Sequence, residues 1–282
     1  NIYGNYWTRE ARFFEIDLDQ HGYINKGKRN YFPSKYQENH NHTLVKLDYS
    51  VKNKFRRQKV LTSDFFCTIN NKKFCNIVDE GNYSLLLSNY WFDLIFSKIN
   101  KKPQKVIEIG AGSGIFTAML KDEFNCKNII IDIPLTLNCS IAFLMDTFPK
   151  KSFLLPNEVR DNTNLEMYDF VFLMPEQINL LNNYKTDFIV NTESFMEMDY
   201  DEVKNYMKFI NTVLIDGGYF FCSNRLRKVN KFFDYPWSGL KHFKKIFLIK
   251  NEINETIGSR APTLLDYLLV KDTKKEYKNN DL

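Results

Sequence analysis

Apolar and polar positions follow two rhythms along this chain, and the change between them falls near residue 100. From Gln104 onward, short apolar runs alternate with longer stretches of helical period. The runs at 105–109, 128–132, 169–173, 187–191 and 219–223 have the length of buried strands, and 153–155 reads as a shorter one. The stretches 115–124, 134–148 and 200–214 read as helices, the second with Pro134 near its first turn and the third closed by the Gly217-Gly218 turn. Runs at 243–249 and 264–270 suggest a closing antiparallel pair. Such alternation predicts an α/β fold, a mostly parallel, Rossmann-like sheet of seven strands with helices on both faces.

The first hundred residues lack this alternation. Helices are expected at 7–18, 44–57 and 84–99, with a polar, turn-rich segment over 25–41 between the first two. Ser84 suits an N-cap, and the Lys102-Pro103 pair suits a stop. The expected organisation is a helical N-terminal cap over 1–100 on a core over 101–282.

One stretch of the core carries chemistry. Val106-Ile107-Glu108-Ile109 reads as a buried parallel strand, and Gly110-Ala111-Gly112-Ser113-Gly114 follows as a tight loop. Glycines let the backbone turn with positive φ and let a ligand come close, and the helix that follows points its N-terminus at that ligand. Asp132, 22 residues after Gly110, ends the next apolar run, where a carboxylate can accept the hydroxyls of an adenosine ribose. A dinucleotide loop would need its third glycine at 115, where Ile115 stands. Glu108, two residues before the first glycine, disfavours a pyrophosphate and suits a cationic ligand. A nucleoside-binding half-fold is the reading these residues support.

Composition bounds the remainder. The chain has 282 residues, 44% of them hydrophobic and 16% aromatic, which fits one large domain or a core domain with an appended module. A net charge of +5 is a mild excess concentrated in short runs, most simply a solvated surface. No Lys/Arg stripe interleaves with aromatics, so no nucleic-acid partner is expected. No run approaches 18 apolar residues, so no membrane span is expected, and no signal peptide is visible. Five cysteines at 67, 75, 126, 139 and 222 form no C-x-x-C pair and fit reduced thiols of a cytoplasmic protein. The His40-Asn41-His42 string has no third ligand beside it, and Asp199, Asp201 and Glu202 read as a helix start, so no metal is expected.

The E-x-G-x-G-x-G string resembles motif I of class I S-adenosylmethionine (SAM) methyltransferases. The resemblance implies SAM as cofactor and S-adenosylhomocysteine as product. In an open α/β sheet the ligands gather at the carboxyl ends of the strands. The fourth main strand there ends in Asn191-Thr192-Glu193-Ser194-Phe195-Met196-Glu197-Met198. Methyl transfer to a hydroxyl needs alignment and a base. Glu193 and Glu197, four apart and on one side if the segment is helical, are candidate bases, and His242 is an alternative.

Three strings together, Ile131-Asp132-Ile133-Pro134-Leu135-Thr136, Asn191 to Met198, and Ser223-Asn224-Arg225, resemble the bacterial sugar O-methyltransferases of surface-polysaccharide clusters over roughly residues 80 to 225. By position, that resemblance implies that Glu108, Gly110, Ala111, Gly112 and Gly114 line SAM. Asp132 would hold the ribose, Ile133, Met174 and Pro175 the adenine, and Asn191 would lie near the methionine moiety. Tyr83, Trp91, Asn224, Arg225 and Trp237 are candidates for the acceptor, a small-molecule sugar or nucleotide-sugar such as a capsule or lipopolysaccharide precursor. Transfer to a phosphate or phosphoramidate group, which needs no strong base, is an open alternative. An RNA or protein acceptor is another, although the Asn/Asp-Pro-Pro-Tyr/Phe signature of base N-methylation is absent. The sugar, the hydroxyl and the oligomeric state are not specified by these residues.

Overall fold

In the computed structural model, residues 83–251 and 263–277 are described. The expected helices at 7–18 and 44–57, the His40-Asn41-His42 string, Cys67 and Cys75 lie outside them.

Helix α1 (Tyr83–Phe96) precedes strand β1 (Lys105–Ile109), α2 (Ile115–Phe124), β2 (Lys127–Ile131) and α3 (Pro134–Thr147). Two short strands follow, β3 (Phe153–Leu154) and β4 (Phe170–Leu173), then β5 (Thr186–Thr192), α4 (Tyr200–Val213), β6 (Leu214–Arg225), β7 (Phe243–Lys250) and β8 (Leu264–Lys271). All eight strands form one sheet in the order β3-β4-β2-β1-β5-β6-β8-β7. The strands from β3 across to β6 pair in parallel, and β8 alone runs against its neighbours on both sides. The fold is the expected one with eight strands instead of seven, the additional one being the two-residue β3 at the edge beside β4.

Alternation along each strand sorts the core into two layers. Val106, Ile130, Phe172, Phe188, Val190 and Phe221 pack under α1, α2 and α3. Ile107, Ile109, Ile131, Ile189, Phe220 and Cys222 pack under α4 and the segment after β6. The α1 layer is aromatic: Phe92 stacks on Phe124 with centroids 5.4 Å apart, and Phe96 meets both Phe124 and Phe188. Phenylalanine supplies large area with few rotamers to freeze, which suits a tight helix-on-sheet layer.

Three local expectations are corrected. Ser84 lies inside α1, not at its cap, and the helix ends at Phe96, where the Ser97 hydroxyl donates to the Leu94 carbonyl, well before Pro103. Gly217-Gly218 is no helix terminator but a bulge inside β6: Leu214 pairs with Thr186 and Tyr219 with Phe188, so the residues between loop out, with Gly217 at φ 71°. The strand continues to Arg225, which places Asn224 and Arg225 on its last pleats and not in a loop beyond it. The segment holding Glu193 and Glu197 is not α-helical. Glu193 is left-handed at φ 54°, and only Phe195–Glu197 make a single 3₁₀ turn.

Candidate active site at the carboxyl ends of β1, β2, β5 and β6

The glycine loop leaves β1 with Gly110, Gly112 and Gly114 at φ 72°, 60° and 78°, values that disfavour any residue with a Cβ. Each glycine meets a different neighbour. A Cβ on Gly110 would fall on the Ser194 hydroxyl, and one on Gly114 would crowd Ser140 at 3.0 Å. One on Gly112 would meet nothing within 4 Å. The loop is thus closed against β5 and α3 and open at its middle, where a ligand can approach the backbone.

Asp132 follows β2 directly. Its carboxylate accepts the N–H of Gly112 at 2.8 Å and that of Ile133 at 2.7 Å, tying the loop to the second strand. Burial pushes its pKa up to about 7 against the pull of those two hydrogen bonds. Ile133 caps α3 in an extended conformation, half-buried beside Asp132. Met174 and Pro175 follow β4 on the next strand over, half-buried, with the Gln177 side chain accepting the Met174 N–H at 3.0 Å.

Glu108 departs from its expected place. It is 1% exposed and turned into the α2 layer, where it accepts the hydroxyl proton of Thr117. It also takes the Thr117 backbone N–H, and burial pushes its pKa up to about 7. Gly114 offers α2 no side-chain cap. Glu108 caps the helix from the strand beneath it, holding the N-terminus that the loop presents. It lies inside the wall of the site and not along its surface.

At the tip of β5, Asn191 is fully buried. Its amide donates to the Ile109 carbonyl at 2.9 Å and to the Ser194 hydroxyl, and its oxygen accepts from Asn224 at 2.8 Å. Asn224 in turn accepts the Met196 N–H at 3.0 Å. The two asparagines stitch β1, β5 and β6 together; both are internal, and Asn224 is not turned to an acceptor.

Glu193 and Glu197 are separated by this geometry. Glu197 forms an ion pair with Lys228. Glu193 stands half-buried, its backbone fixed by a 2.7 Å bond from its N–H to the Ser223 carbonyl. No described residue gives its carboxylate a hydrogen bond or ion pair; burial raises its pKa, with the Arg225 charge pulling the other way and Glu197 adding to the rise. A glutamate held at positive φ is uncommon, and such strain gathers at functional positions.

Behind Ser223 lies a carboxylate that the sequence reading missed. Asp266 of β8 is fully buried and accepts from Trp91 at 3.0 Å, Ser223 at 2.6 Å and Asn251 at 2.9 Å. Burial pushes its pKa up to about 7, and Glu193 adds to that rise. Its signal was present: one carboxylate interrupts the apolar run Leu264 to Val270.

Trp91 is therefore spent on Asp266 and is not an exposed face for a sugar. Trp237 donates to the Phe232 carbonyl at 2.8 Å and packs on Tyr267 in the layer opposite α1. Tyr83 opens α1, and its side chain is outside the description. His242 is removed from the site. It precedes β7, which runs in the direction of β6, so it stands at the opposite end of the sheet from the glycine loop, with Nδ1 3.0 Å from the Lys275 carbonyl. Among the described residues, no group of three or more His, Cys, Asp or Glu could hold a metal ion, and no helix is long and apolar enough to cross a membrane.

The match to a protein family agrees with this arrangement. Residues 87–252 match the family described as a methyltransferase domain. No curated protein matches significantly. Among solved structures, the chain is similar to the N-methyltransferase NodS from Bradyrhizobium japonicum WM9 in complex with S-adenosyl-l-homocysteine. That likeness has 13% identity over 71% of this chain and 93% of that one, with a TM-score of 0.49. It is also similar to geranyl diphosphate methyltransferase in complex with SAM (8% identity, 69% and 88% covered, TM-score 0.48). A third is the mitomycin 7-O-methyltransferase MmcR (11% identity, 72% and 57% covered, TM-score 0.45). With the family match spanning more than half of its length, and with a three-glycine loop, a capped helix and an acid-tipped second strand inside that span, the chain belongs to the methyltransferase-domain family and is a class I SAM-dependent methyltransferase.

Proposed function

We propose that this enzyme transfers the methyl group of SAM to a hydroxyl of a sugar, in the form of a nucleotide-activated sugar or a capsule or lipopolysaccharide precursor. SAM supplies a methyl group activated on a sulfonium. The open middle of the glycine loop at Gly112 gives room for its nucleoside, and Asp132 is at hand for the ribose hydroxyls. Met174, Pro175 and Ile133 would flank the base. The chain's remaining work is to hold the acceptor in line, exclude water and take up a proton.

The observation that carries the hydroxyl reading is Glu193. A proton acceptor for an alcohol should be unpaired, desolvated and rigidly aimed. Glu193 has each property: no hydrogen-bond partner among the described residues, a pKa raised by burial, and a backbone locked in the left-handed region. Glu197 is already engaged in an ion pair with Lys228, and His242 is at the wrong end of the sheet. The sugar itself rests on the resemblance of the Asp132, Glu193 and Arg225 strings to the sugar O-methyltransferases.

The test is turnover of SAM with a panel of sugar nucleotides, read as acceptor mass gain, for wild type and Glu193→Gln. A hydroxyl acceptor requires methylation that falls about 10²–10⁴-fold in the variant. Undiminished turnover in Glu193→Gln would move the assignment to an acceptor already anionic, a phosphate or phosphoramidate.

A further inference from the structure

Arg225 is the last residue of β6, with its side chain on the same pleat direction as Ser223 and Phe221. Its guanidinium has no hydrogen bond or ion pair to any described residue, and its Nε is buried without a partner. A buried arginine Nε–H with nothing to accept it is uncommon. An acceptor of opposite charge lies nearby: Glu193 feels the Arg225 charge. Yet no ion pair within 4.0 Å joins them, whereas the neighbouring Lys228 and Glu197 do pair. Arg225 and Glu193 are near enough to influence each other electrostatically without closing into an ion pair.

Both residues stand at the carboxyl ends of β5 and β6, to one side of the glycine loop. Strand β5 separates β6 from β1, and β1 separates β5 from β2. At about 4.8 Å per step, Arg225 stands roughly 10 Å from the strand of the glycine loop and roughly 14 Å from that of Asp132. The chain beyond β6 adds Arg227, Lys228 and Lys231, of which Lys228 pairs with Glu197 and Lys231 with Asp234.

We infer that Arg225 is an oxyanion clamp for the methyl acceptor, binding a phosphate or carboxylate group carried by the same molecule whose hydroxyl faces Glu193. The planar fork of an arginine matches either group with two parallel hydrogen bonds. The inference rests on the hydroxyl-acceptor reading and narrows it to anionic acceptors: a sugar joined to a nucleoside diphosphate, or a uronic acid. It also couples binding to chemistry. The charged groups felt by Glu193 are Arg225, Lys228 and Glu197, and Glu193 is itself felt by Asp266. An oxyanion on Arg225 neutralises the cation that holds the Glu193 pKa down, so the bound acceptor makes Glu193 the better base.

The experiment is calorimetry in saturating S-adenosylhomocysteine with two matched pairs of probes, UDP against uridine and glucuronate against glucose. The proteins are wild type, Arg225→Gln and Arg225→Lys. The expected result is that one anion binds wild type at least tenfold more tightly than its neutral counterpart. That advantage should vanish in Arg225→Gln and return in part in Arg225→Lys, with S-adenosylhomocysteine affinity within twofold throughout. UDP carrying the advantage identifies a phosphoryl group, and glucuronate a carboxylate. Three results overturn the inference: no advantage for either anion in wild type, an advantage that survives Arg225→Gln, or a loss of S-adenosylhomocysteine binding in step with it, which would assign Arg225 to the cofactor. Anion binding through Arg225 without methylation of any sugar would uphold the clamp and overturn the sugar reading alone.

Discussion

The carboxyl edge of the sheet has two halves built on different principles. On the β1–β2 half, the groups that shape the site are mainly backbone: three glycines at positive φ, the N-terminus of α2, and one aspartate bonded to two N–H groups. On the β5–β6 half, the groups are side chains held by other side chains: Asn191 by Asn224, Ser223 by Asp266, and Asp266 by Trp91 and Asn251. The first half suits a ligand that every member of the family shares. The second suits a variable acceptor, because side chains can be exchanged without rebuilding the loop.

The sharpest way to separate the halves is to damage each and read both binding and turnover. Glu193→Gln should lower kcat by about 10²–10⁴-fold while S-adenosylhomocysteine affinity, measured by calorimetry, stays within twofold. An equal loss in affinity would show that the β5 tip belongs to the cofactor and erase the distinction. Gly110→Ala should do the reverse and more broadly. Its Cβ falls on Ser194 and its φ of 72° is strained for alanine, so cofactor binding should drop more than tenfold with a lower Tm. Gly112→Ala has the same handedness problem without the clash and should retain more of both.

A smaller effect tests the buried carboxylates that both halves share. Glu108, Asp132 and Asp266 are each held near 7 by burial, well above the ordinary carboxylate range. Between those values the folded protein keeps protons that the unfolded chain has lost, so stability falls as pH rises. The contribution of these three groups should be full below about pH 4, fall steadily as pH rises to about 7 and be gone by about pH 8, seen as a Tm that declines from pH 5.5 to 8 in thermal scans. Asp266→Asn should flatten part of that slope; a Tm that climbs from pH 5.5 to 8 would contradict the assignment. The least effect is expected for Glu197→Gln. Its ion pair with Lys228 is half-exposed, and loss of such a pair typically costs about 0–1 kcal/mol, with kcat within a fewfold of wild type.

Legibility in the sequence followed the same division. The glycine string and Asp132 were readable because they act through backbone geometry and a fixed spacing, which need no knowledge of neighbours. The helices and strands were readable to within a few residues wherever the apolar period was long. The short strand at 153–155 was legible but left out of the seven-strand count, and Gly217-Gly218 misled because a glycine pair marks a bulge as readily as a helix end. Glu108 carried the right motif but a different task, since the sequence shows no cap for α2 and only the fold reveals Thr117 above it.

The sequence by itself determined that a nucleoside would sit between the first two strands of a parallel sheet, because that depends on glycines, a helix start and an acid in register. Only the tertiary structure decided which carboxylate has no partner among the described residues. Glu193 and Glu197 are chemically identical and four residues apart; Lys228, from the loop after another strand, pairs with one and leaves the other. The structure also decided that Trp91 and Asn224 are internal, that His242 is remote, and that Asp266 stands behind Ser223. Each of these is a contact between residues distant in the chain, set by strand order and pleat direction, and a local pattern cannot encode which strand will become the neighbour.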